Sequence, residues 1–217
     1  MTHLWSRLVQ TAFHLLYTAF APAYDRVAWV VSRGDWPAWG RTALSHLHPG
    51  ARVLELGSGP GYLLPHLAAQ SPLAVGLDRS PAMIRLAQGR KGRGWLVLGT
   101  AHALPFADAA FGTVASTFPA PYIAHPLTLQ EVHRVLDSAG RLVIVDSAEL
   151  TGRDLYTAAV NLAFALTSRP VEASPLPGRL QAIGFTLTYH QHTTRHGRVS
   201  VLVAGKTPST PEPLGRP

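Results

Sequence analysis

Three glycines at alternate positions, Gly57, Gly59 and Gly61, stand in the run Glu55-Leu56-Gly57-Ser58-Gly59-Pro60-Gly61. Glycine adopts backbone conformations closed to other residues and lets a ligand approach the main chain closely. A helix that starts just beyond such a turn offers free N–H groups. One helix and one strand later comes Asp78. A carboxylate there can accept hydrogen bonds from both hydroxyls of a ribose. Each feature alone is an ordinary turn or an ordinary helix-flanking acid; together they predict a nucleoside site. The spacing is not the G-x-G-x-x-G that holds a pyrophosphate, and no Gly-Lys-Ser/Thr of a phosphate-binding loop is present. A nicotinamide-dependent oxidoreductase on a related fold is a weaker reading, because no Tyr-x-x-x-Lys pair exists and the only lysines are Lys91 and Lys206.

A parallel sheet is needed to bring these residues together. Arg52 to Leu56 reads as a short apolar strand, followed by a helix through Leu63, Leu64 and Leu67. Leu73 to Leu77 is the second strand, with Asp78 at its end. Ser80-Pro81 has the chemistry of an N-cap and first helical position, and that helix carries Met83, Ile84, Leu86 and Ala87 before Gly89. Trp95 to Leu98 and Thr113 to Thr117 are further strands. A helix over Leu127 to Leu136 is followed by a turn at Ser138-Ala139-Gly140 and a strand over Arg141 to Val145. Strands alternating with helices imply βαβ units with helices on both faces. Beyond Asp146 an apolar helix is predicted over about 153–167 and a short one over 176–183. Phe185 to His190 and Val199 to Ala204 form a hairpin about Arg195-His196-Gly197. The expected class is α/β: a doubly wound, Rossmann-like, seven-stranded, mostly parallel sheet with a C-terminal antiparallel hairpin and an N-terminal helical cap. The cap is assigned to 1–45 and the binding domain to 46–206, with a helical insert at 150–172. The Pro-rich tail, 207–217, is expected to be disordered.

Composition narrows the partners. The chain has 217 residues, 47% of them apolar and only 14% charged, which suits one packed α/β domain. The absence of cysteine excludes disulfides, thiolate metal sites and a cysteine nucleophile. The formal charge of +7 comes from arginines spread along the chain and from scarce acids. The one cluster, Arg90, Lys91 and Arg93, is short, and no basic stripe with aromatic platforms appears, so no nucleic-acid partner is expected. Eleven histidines show no metal-ligand spacing; His46, His48, His190, His192 and His196 read as surface or core residues, and no metal is expected. Residues 4–20 are apolar but interrupted by Arg7, Gln10, His14 and Thr18 at helical spacing. That pattern predicts an amphipathic helix, and the interruptions argue both against a membrane span and against a signal peptide cleaved near Ala19-Phe20-Ala21. It packs on its own domain or caps the site. Peripheral membrane contact through this helix is the other reading of a chain expected in the cytoplasm.

The glycine run resembles motif I of the class I S-adenosylmethionine-dependent methyltransferases, and the likeness continues along the chain. Val75-Gly76-Leu77-Asp78-Arg79-Ser80-Pro81-Ala82-Met83 is similar to the family's second-strand motif. Gly99-Thr100-Ala101-His102-Ala103-Leu104-Pro105-Phe106 is similar to its G-D-A-x-x-L-P-F. Glu131-Val132-His133-Arg134-Val135-Leu136, with Gly140-Arg141-Leu142, is similar to its E-x-x-R-V-L-x-x-G-G-x-L, and Tyr24-Asp25 to the Y-D of its N-terminal cap. The match covers about residues 20–205 and points to the small-molecule subgroup containing the ubiquinone/menaquinone-type enzymes. Three positions depart from the pattern: Thr100 replaces an acid beside the adenine, Gly112 stands where Phe-Asp is usual after Phe111, and Ala139 replaces the first glycine of a pair.

The resemblance implies S-adenosyl-L-methionine as cofactor, S-adenosyl-L-homocysteine as product, and roles by position. Glu55 would receive the methionine ammonium. Gly57, Ser58, Gly59 and Gly61 would lie beneath the methionine and ribose. Asp78, with Arg79 beside it, would hold the ribose hydroxyls, and Met83 would pack on adenine or ribose, unless it is simply a core residue. Thr100, Ala101 and His102 would border the adenine. Ser116 and Thr117 would face the methionine part and the acceptor, and Tyr24 would close over the methionine carboxylate. His125 and Tyr122 are the candidate bases, in the loop that reads Phe118-Pro119-Ala120-Pro121-Tyr122. Methyl transfer from a sulfonium depends chiefly on alignment, which is worth ~7–11 kcal/mol. A small apolar or aromatic acceptor, such as a quinone precursor, phenol or lipid-like compound, is expected between the cap (Phe13, Leu16, Phe20, Trp29, Trp36), the loop after the fourth strand, and an insert bearing Leu155, Tyr156, Leu162 and Phe164. The alternative is a cofactor-binding partner or sensor of the same fold without transfer activity.

Overall fold

Val53–Leu56 (β1) and Ala74–Asp78 (β2) are buried at every residue, as parallel strands covered on both faces must be. The computed structural model describes residues 21–167 and 174–207, with side chains from Arg26 onward and, in the first stretch, as far as Ala165. The helix expected over 4–20 and the tail from 208 lie outside the described residues. Ala21–Ser32 (α1), Trp36–Arg41 (α2) and a 3-10 turn, Thr42–His46, precede β1. Leu64–Gln70 (α3) joins β1 to β2, and Pro81–Gln88 (α4) joins β2 to Trp95–Leu98 (β3). Phe111–Thr117 (β4), a 3-10 turn at Pro121–Ala124, Pro126–Val135 (α5) and Leu136–Leu150 (β5) follow. Leu155–Thr167 (α6), Leu176–Ala182 (α7), Phe185–Thr193 (β6) and Gly197–Lys206 (β7) complete the order.

The seven strands lie in the order β3-β2-β1-β4-β5-β7-β6, parallel from β3 to β5 and antiparallel from β5 through β7 to β6. Strand alternation sorts the core into two halves. Leu54, Leu56, Leu142, Ile144 and Leu202 pack with Leu129 and Val132 of α5 and Leu180 of α7. Val53, Val143, Val145 and Val201 pack on the other face with Trp39 of α2 and Leu64 and Leu67 of α3. Glu55 alternates onto the same face as Val53 and is itself buried.

Ser80 caps α4 as expected, accepting a hydrogen bond from Met83 N at 3.3 Å, with Pro81 beginning the helix. β5 departs from expectation. The predicted turn at Ser138-Ala139-Gly140 lies inside the strand, where the register with β4 shifts between the pairs Phe111↔Leu136 and Thr113↔Arg141. The strand also runs past Val145 to Leu150, across a second irregularity, because Gly197 to Ser200 of β7 continue the ladder. Gly112 has a steric reason: a Cβ there would sit 2.5 Å from the Ala51 Cβ.

The histidines read as surface or core residues form a contact. His46 Nε2 lies 2.8 Å from His192 Nε2, and its ring is 4.4 Å from that of His190. This joins the 3-10 turn of the cap to the C-terminal hairpin. Burial, followed by His190, His192 and Arg141, pushes His46 down to about 4. Among the described residues no cluster could hold a metal ion, and no helix is long and apolar enough to cross a membrane.

Candidate active site

The carboxyl ends of β1, β2 and β4 meet at the glycine loop, where a doubly wound sheet binds its ligand. Gly57, Gly59 and Gly61 have φ of 70°, 52° and 80°, a region that L side chains rarely occupy. The loop hangs on β2 through Gly57 N and Ser58 N, which both donate to Leu77 O, at 2.8 and 3.1 Å. A Cβ at Gly61 would come within 2.9 Å of the Ala87 Cβ of α4. The tight turn therefore also permits the approach of the next helix.

Asp78 ties these parts together. Its Oδ2 accepts from Gly59 N at 2.9 Å and its Oδ1 from Ser80 N at 2.8 Å. One carboxylate thus holds both the glycine loop and the start of α4, and each oxygen keeps a further lone pair for a ligand. Arg79 points to solvent. Met83 is fully buried, packed with Ala28 of α1, and Trp36 and Tyr62 join the cluster.

Glu55 is 1% exposed, and its Oε2 has no hydrogen-bond partner. Burial, and after it the charge of Asp78, push its carboxyl up to about 8. Ser58 Oγ, also buried, is likewise without a partner. Native structures rarely leave such atoms unsatisfied. A buried acid short of a partner beside an anionic Asp78 suits a cationic ligand group, and the sulfonium and ammonium of S-adenosylmethionine are such groups.

At the end of β4, Ser116 Oγ donates to Leu56 O at 2.8 Å, and the Tyr122 hydroxyl donates to the same carbonyl at 3.1 Å. The two hydroxyls are 3.2 Å apart. A Cβ on Gly57 would strike the Tyr122 hydroxyl, so this phenol lies directly against the glycine loop. Thr117 approaches Gly40 of the cap instead, its methyl 3.9 Å from a Cβ built there. His125 is the N-cap of α5: its Nδ1 accepts from Leu127 N at 3.3 Å. In a neutral ring that bond leaves the proton on Nε2, so the exposed nitrogen is a donor. The ring lies 4.4 Å from that of His102, whose Nδ1 meets Thr128 Oγ1 at 2.9 Å. Thr100 Oγ1 accepts from His102 N at 3.3 Å, and Ala101 is buried. Tyr24 stands in α1, and its side chain lies outside the described residues.

Two features here escaped the sequence reading. Phe118, just after β4, has φ 47° although a proline follows it, and its ring stacks 4.6 Å from Trp36 of the cap. A strained non-glycine residue at a strand end is a mark of functional sites; the Pro119 that follows was the available signal. The second is the Leu56 carbonyl, which a motif cannot reveal because its two donors lie 60 and 66 residues away.

Comparison with known proteins agrees with this geometry. Residues 54–144 match the family described as Methyltransferase domain. The chain is 33% identical to the demethylmenaquinone methyltransferase of Lactiplantibacillus plantarum, over 83% of this chain and 79% of that protein. It is 32% identical to the demethylmenaquinone methyltransferase of Symbiobacterium thermophilum, over 62% of this chain and 58% of that protein. A solved S-adenosyl-L-methionine-dependent methyltransferase, described as putative, from Methanococcus maripaludis shares the fold at TM-score 0.63 and 19% identity, over 88% of this chain and 94% of that one. A glycine loop braced by Asp78, a buried Glu55 oxygen without a hydrogen-bond partner and this level of identity to the Lactiplantibacillus protein lead to one conclusion: the chain belongs to the S-adenosylmethionine-dependent methyltransferases.

Proposed function

We propose that the protein methylates a small apolar or aromatic acceptor of the quinone-precursor, phenol or lipid-like class. The observation that carries the reading is the orphaned, buried Glu55 carboxyl behind a glycine loop held open by Asp78. Two relatives named as demethylmenaquinone methyltransferases support the acceptor class. Bound at this site, S-adenosylmethionine supplies an electrophilic methyl group and its own leaving group.

The chain's residues then have mainly positional work. Glu55 would hold the ammonium, releasing its proton to solvent so that the two groups form an ion pair. Gly57, Ser58, Gly59 and Gly61 line the methionine and ribose side, with Asp78 on the ribose hydroxyls and Arg79 at the rim. Thr100, Ala101 and His102 border the adenine, and Met83 supports that side from the core. Tyr24 is given the methionine end on the family resemblance alone, its side chain lying outside the described residues. Ser116 and Thr117 end β4 toward the acceptor. Tyr122, already against Gly57, orients the acceptor and is better placed than His125 to take part in proton removal, because His125 is engaged in capping α5. Trp36 and Phe118 exclude water from the cap side. The reading also includes a cytoplasmic setting, with residues 4–20 packing on the chain's own domain or capping the site.

The first test is calorimetric titration with S-adenosylmethionine and S-adenosylhomocysteine, with NAD as control. Micromolar binding of the first two and none of NAD is expected, and absence of both overturns the reading. A screen of quinol, phenol and amine acceptors with methyl-labelled cofactor then tests the acceptor class.

A further inference from the structure

Helix α6 has its polarity reversed. Its one amide side chain, Asn161, faces inward, donating to Leu150 O and accepting from Leu150 N, both at 2.9 Å. Thr157 is buried as well. The outward positions Leu155, Ala158, Ala159 and Leu162, spaced i, i+3, i+4 and i+7, are all apolar and exposed. Leu155 is 91%, Leu162 60% and Trp29 65% exposed, so these three side chains face solvent rather than forming the walls of the acceptor site expected from the sequence. The solvent face of a helix on a globular domain is ordinarily charged or polar. Helix α1 continues the surface with exposed Val27, Trp29 and Val30. The two helices are joined: the Tyr156 hydroxyl donates to Val30 O, Arg33 lies 4.8 Å from the centre of the Tyr156 ring, and Arg33 pairs with Asp154 at 2.7 Å.

Charge identifies what this face meets. Arg26, next to Val27 in α1, and Arg153, just ahead of α6, are exposed, while Arg33 is taken up by Asp154 and the Tyr156 ring. Among the described side chains of α1, α6 and residues 151–154, the one carboxylate is Asp154, already committed to Arg33. The whole chain carries a formal +7. Aliphatic side chains with Trp and Tyr beside them and arginines at the rim are the composition of a surface that enters the headgroup region of an anionic bilayer. The face also adjoins the site. α1 packs on α4 through Ala28 and Met83, and α6 follows the carboxyl end of β5.

We propose that the α1–α6 face docks on an anionic lipid bilayer, so that an apolar acceptor reaches the glycine-loop end of the sheet directly from the membrane. The docking stands on the surface itself; the route for the acceptor rests on the function proposed above.

The experiment is flotation of the full chain with vesicles of equal parts phosphatidylglycerol and phosphatidylcholine, against pure phosphatidylcholine, at low and high salt. The expected result is flotation with the anionic vesicles at low salt and little with the neutral ones. Leu155→Glu with Leu162→Glu should lower the bound fraction at least about tenfold, because each change removes an apolar group from the interface and adds a repelled charge. Trp29→Phe should abolish the quenching of tryptophan fluorescence by brominated lipid. S-adenosylhomocysteine affinity, measured on every variant, should stay at the wild-type value. That titration judges the methyltransferase site separately: a wild type that floats without binding S-adenosylhomocysteine sinks the proposed function and leaves the docking standing. No flotation of the wild type overturns the proposal. So does flotation undiminished in the Leu155/Leu162 variant, which would assign the contact to residues 4–20. A wild-type dimer in the absence of lipid that the same substitutions turn into monomer would make the face a self-association surface, and would overturn it too.

Discussion

Gly59 N donates to Oδ2 of Asp78 at 2.9 Å, so the acid ending β2 fixes the middle of the loop that ends β1. The other oxygen holds Ser80 N, the start of α4. Asp78 is therefore a structural tie before it is a ligand contact. Asp78→Ala should lose stability by roughly 1–3 kcal/mol, because two backbone N–H groups lose an ionised partner. It should also weaken S-adenosylhomocysteine binding by more than about tenfold. Asp78→Asn keeps an acceptor for one N–H and should fall between. Thermal melts and calorimetry on the two variants check both effects.

Through Glu55, binding of S-adenosylmethionine should depend on pH. Its carboxyl is pushed up to about 8 by burial and by Asp78, so at neutral pH the protein without ligand holds it mainly protonated. Pairing with a cation favours the ionised form, and binding below pH 8 should release a proton. Heats measured in buffers of different ionisation enthalpy will reveal that proton; equal heats in all buffers would refute it. Glu55→Gln should abolish the release and weaken S-adenosylmethionine roughly tenfold or more, since hydrogen bonds to charged groups are worth ~1.5–3 kcal/mol. The stability effect has the opposite sense. A raised acid pKa means the folded state keeps a proton that the unfolded state gives up, so stability falls as pH rises from about 4.5 to about 8. Glu55→Gln should flatten that decline.

Tyr122 and His125 should separate cleanly. Tyr122→Phe removes the hydroxyl against Gly57 and should lower kcat by roughly tenfold or more with little effect on melting. His125→Ala removes the cap of α5 and should cost about 1 kcal/mol of stability. His125→Asn should restore that stability, and methyl transfer should follow the melting temperature rather than the imidazole. Full activity in Tyr122→Phe would remove that residue from the chemistry.

The contact of His46 with His192 should weaken in acid. The depressed pKa of His46 means its contribution to stability is present above the ordinary value of 6.5 and is lost as pH falls through about 4. His46→Gln should show a smaller drop in melting temperature across that interval than wild type. Parallel curves for the two proteins would refute the linkage.

Motifs that act locally were legible, and contacts closed by the sheet were not. Ser80-Pro81 announces the start of α4 because a cap acts over three residues. The extension of β5 past Val145 depends on pairing with Gly197 to Ser200, which its own residues do not encode. Glu131 and Arg134 lie in a helical segment with a family likeness, yet their work is elsewhere. Glu131 accepts from Leu104 N at 2.6 Å, and Arg134 donates to the carbonyls of Leu104 and Phe106, at 3.0 and 2.7 Å. Their mutual ion pair, with Asp108 beside it, holds Glu131 below its usual carboxylate range and Arg134 above its usual range. Two stretches that look like separate signatures are one clamp on the loop from Leu104 to Phe106. His125 shows the converse: the residue type suggested a base, while its place ahead of Pro126 makes it a cap.

The last strand among the described residues, β7, is inserted between β5 and β6 rather than added at an edge. During synthesis, β5 therefore waits with one side unpaired while some fifty further residues emerge, and Val143, Val145, Leu142 and Ile144 cannot complete their layers before Val201 and Leu202 arrive. Domains close in the order their chains are made. Here the closing piece is a hairpin that comes late, so the ribosome holds an open, aggregation-prone sheet edge until nearly the whole domain has been translated. Chaperone demand should therefore concentrate at the end of translation, and a stop codon ahead of β7 should yield an insoluble product rather than a smaller folded one.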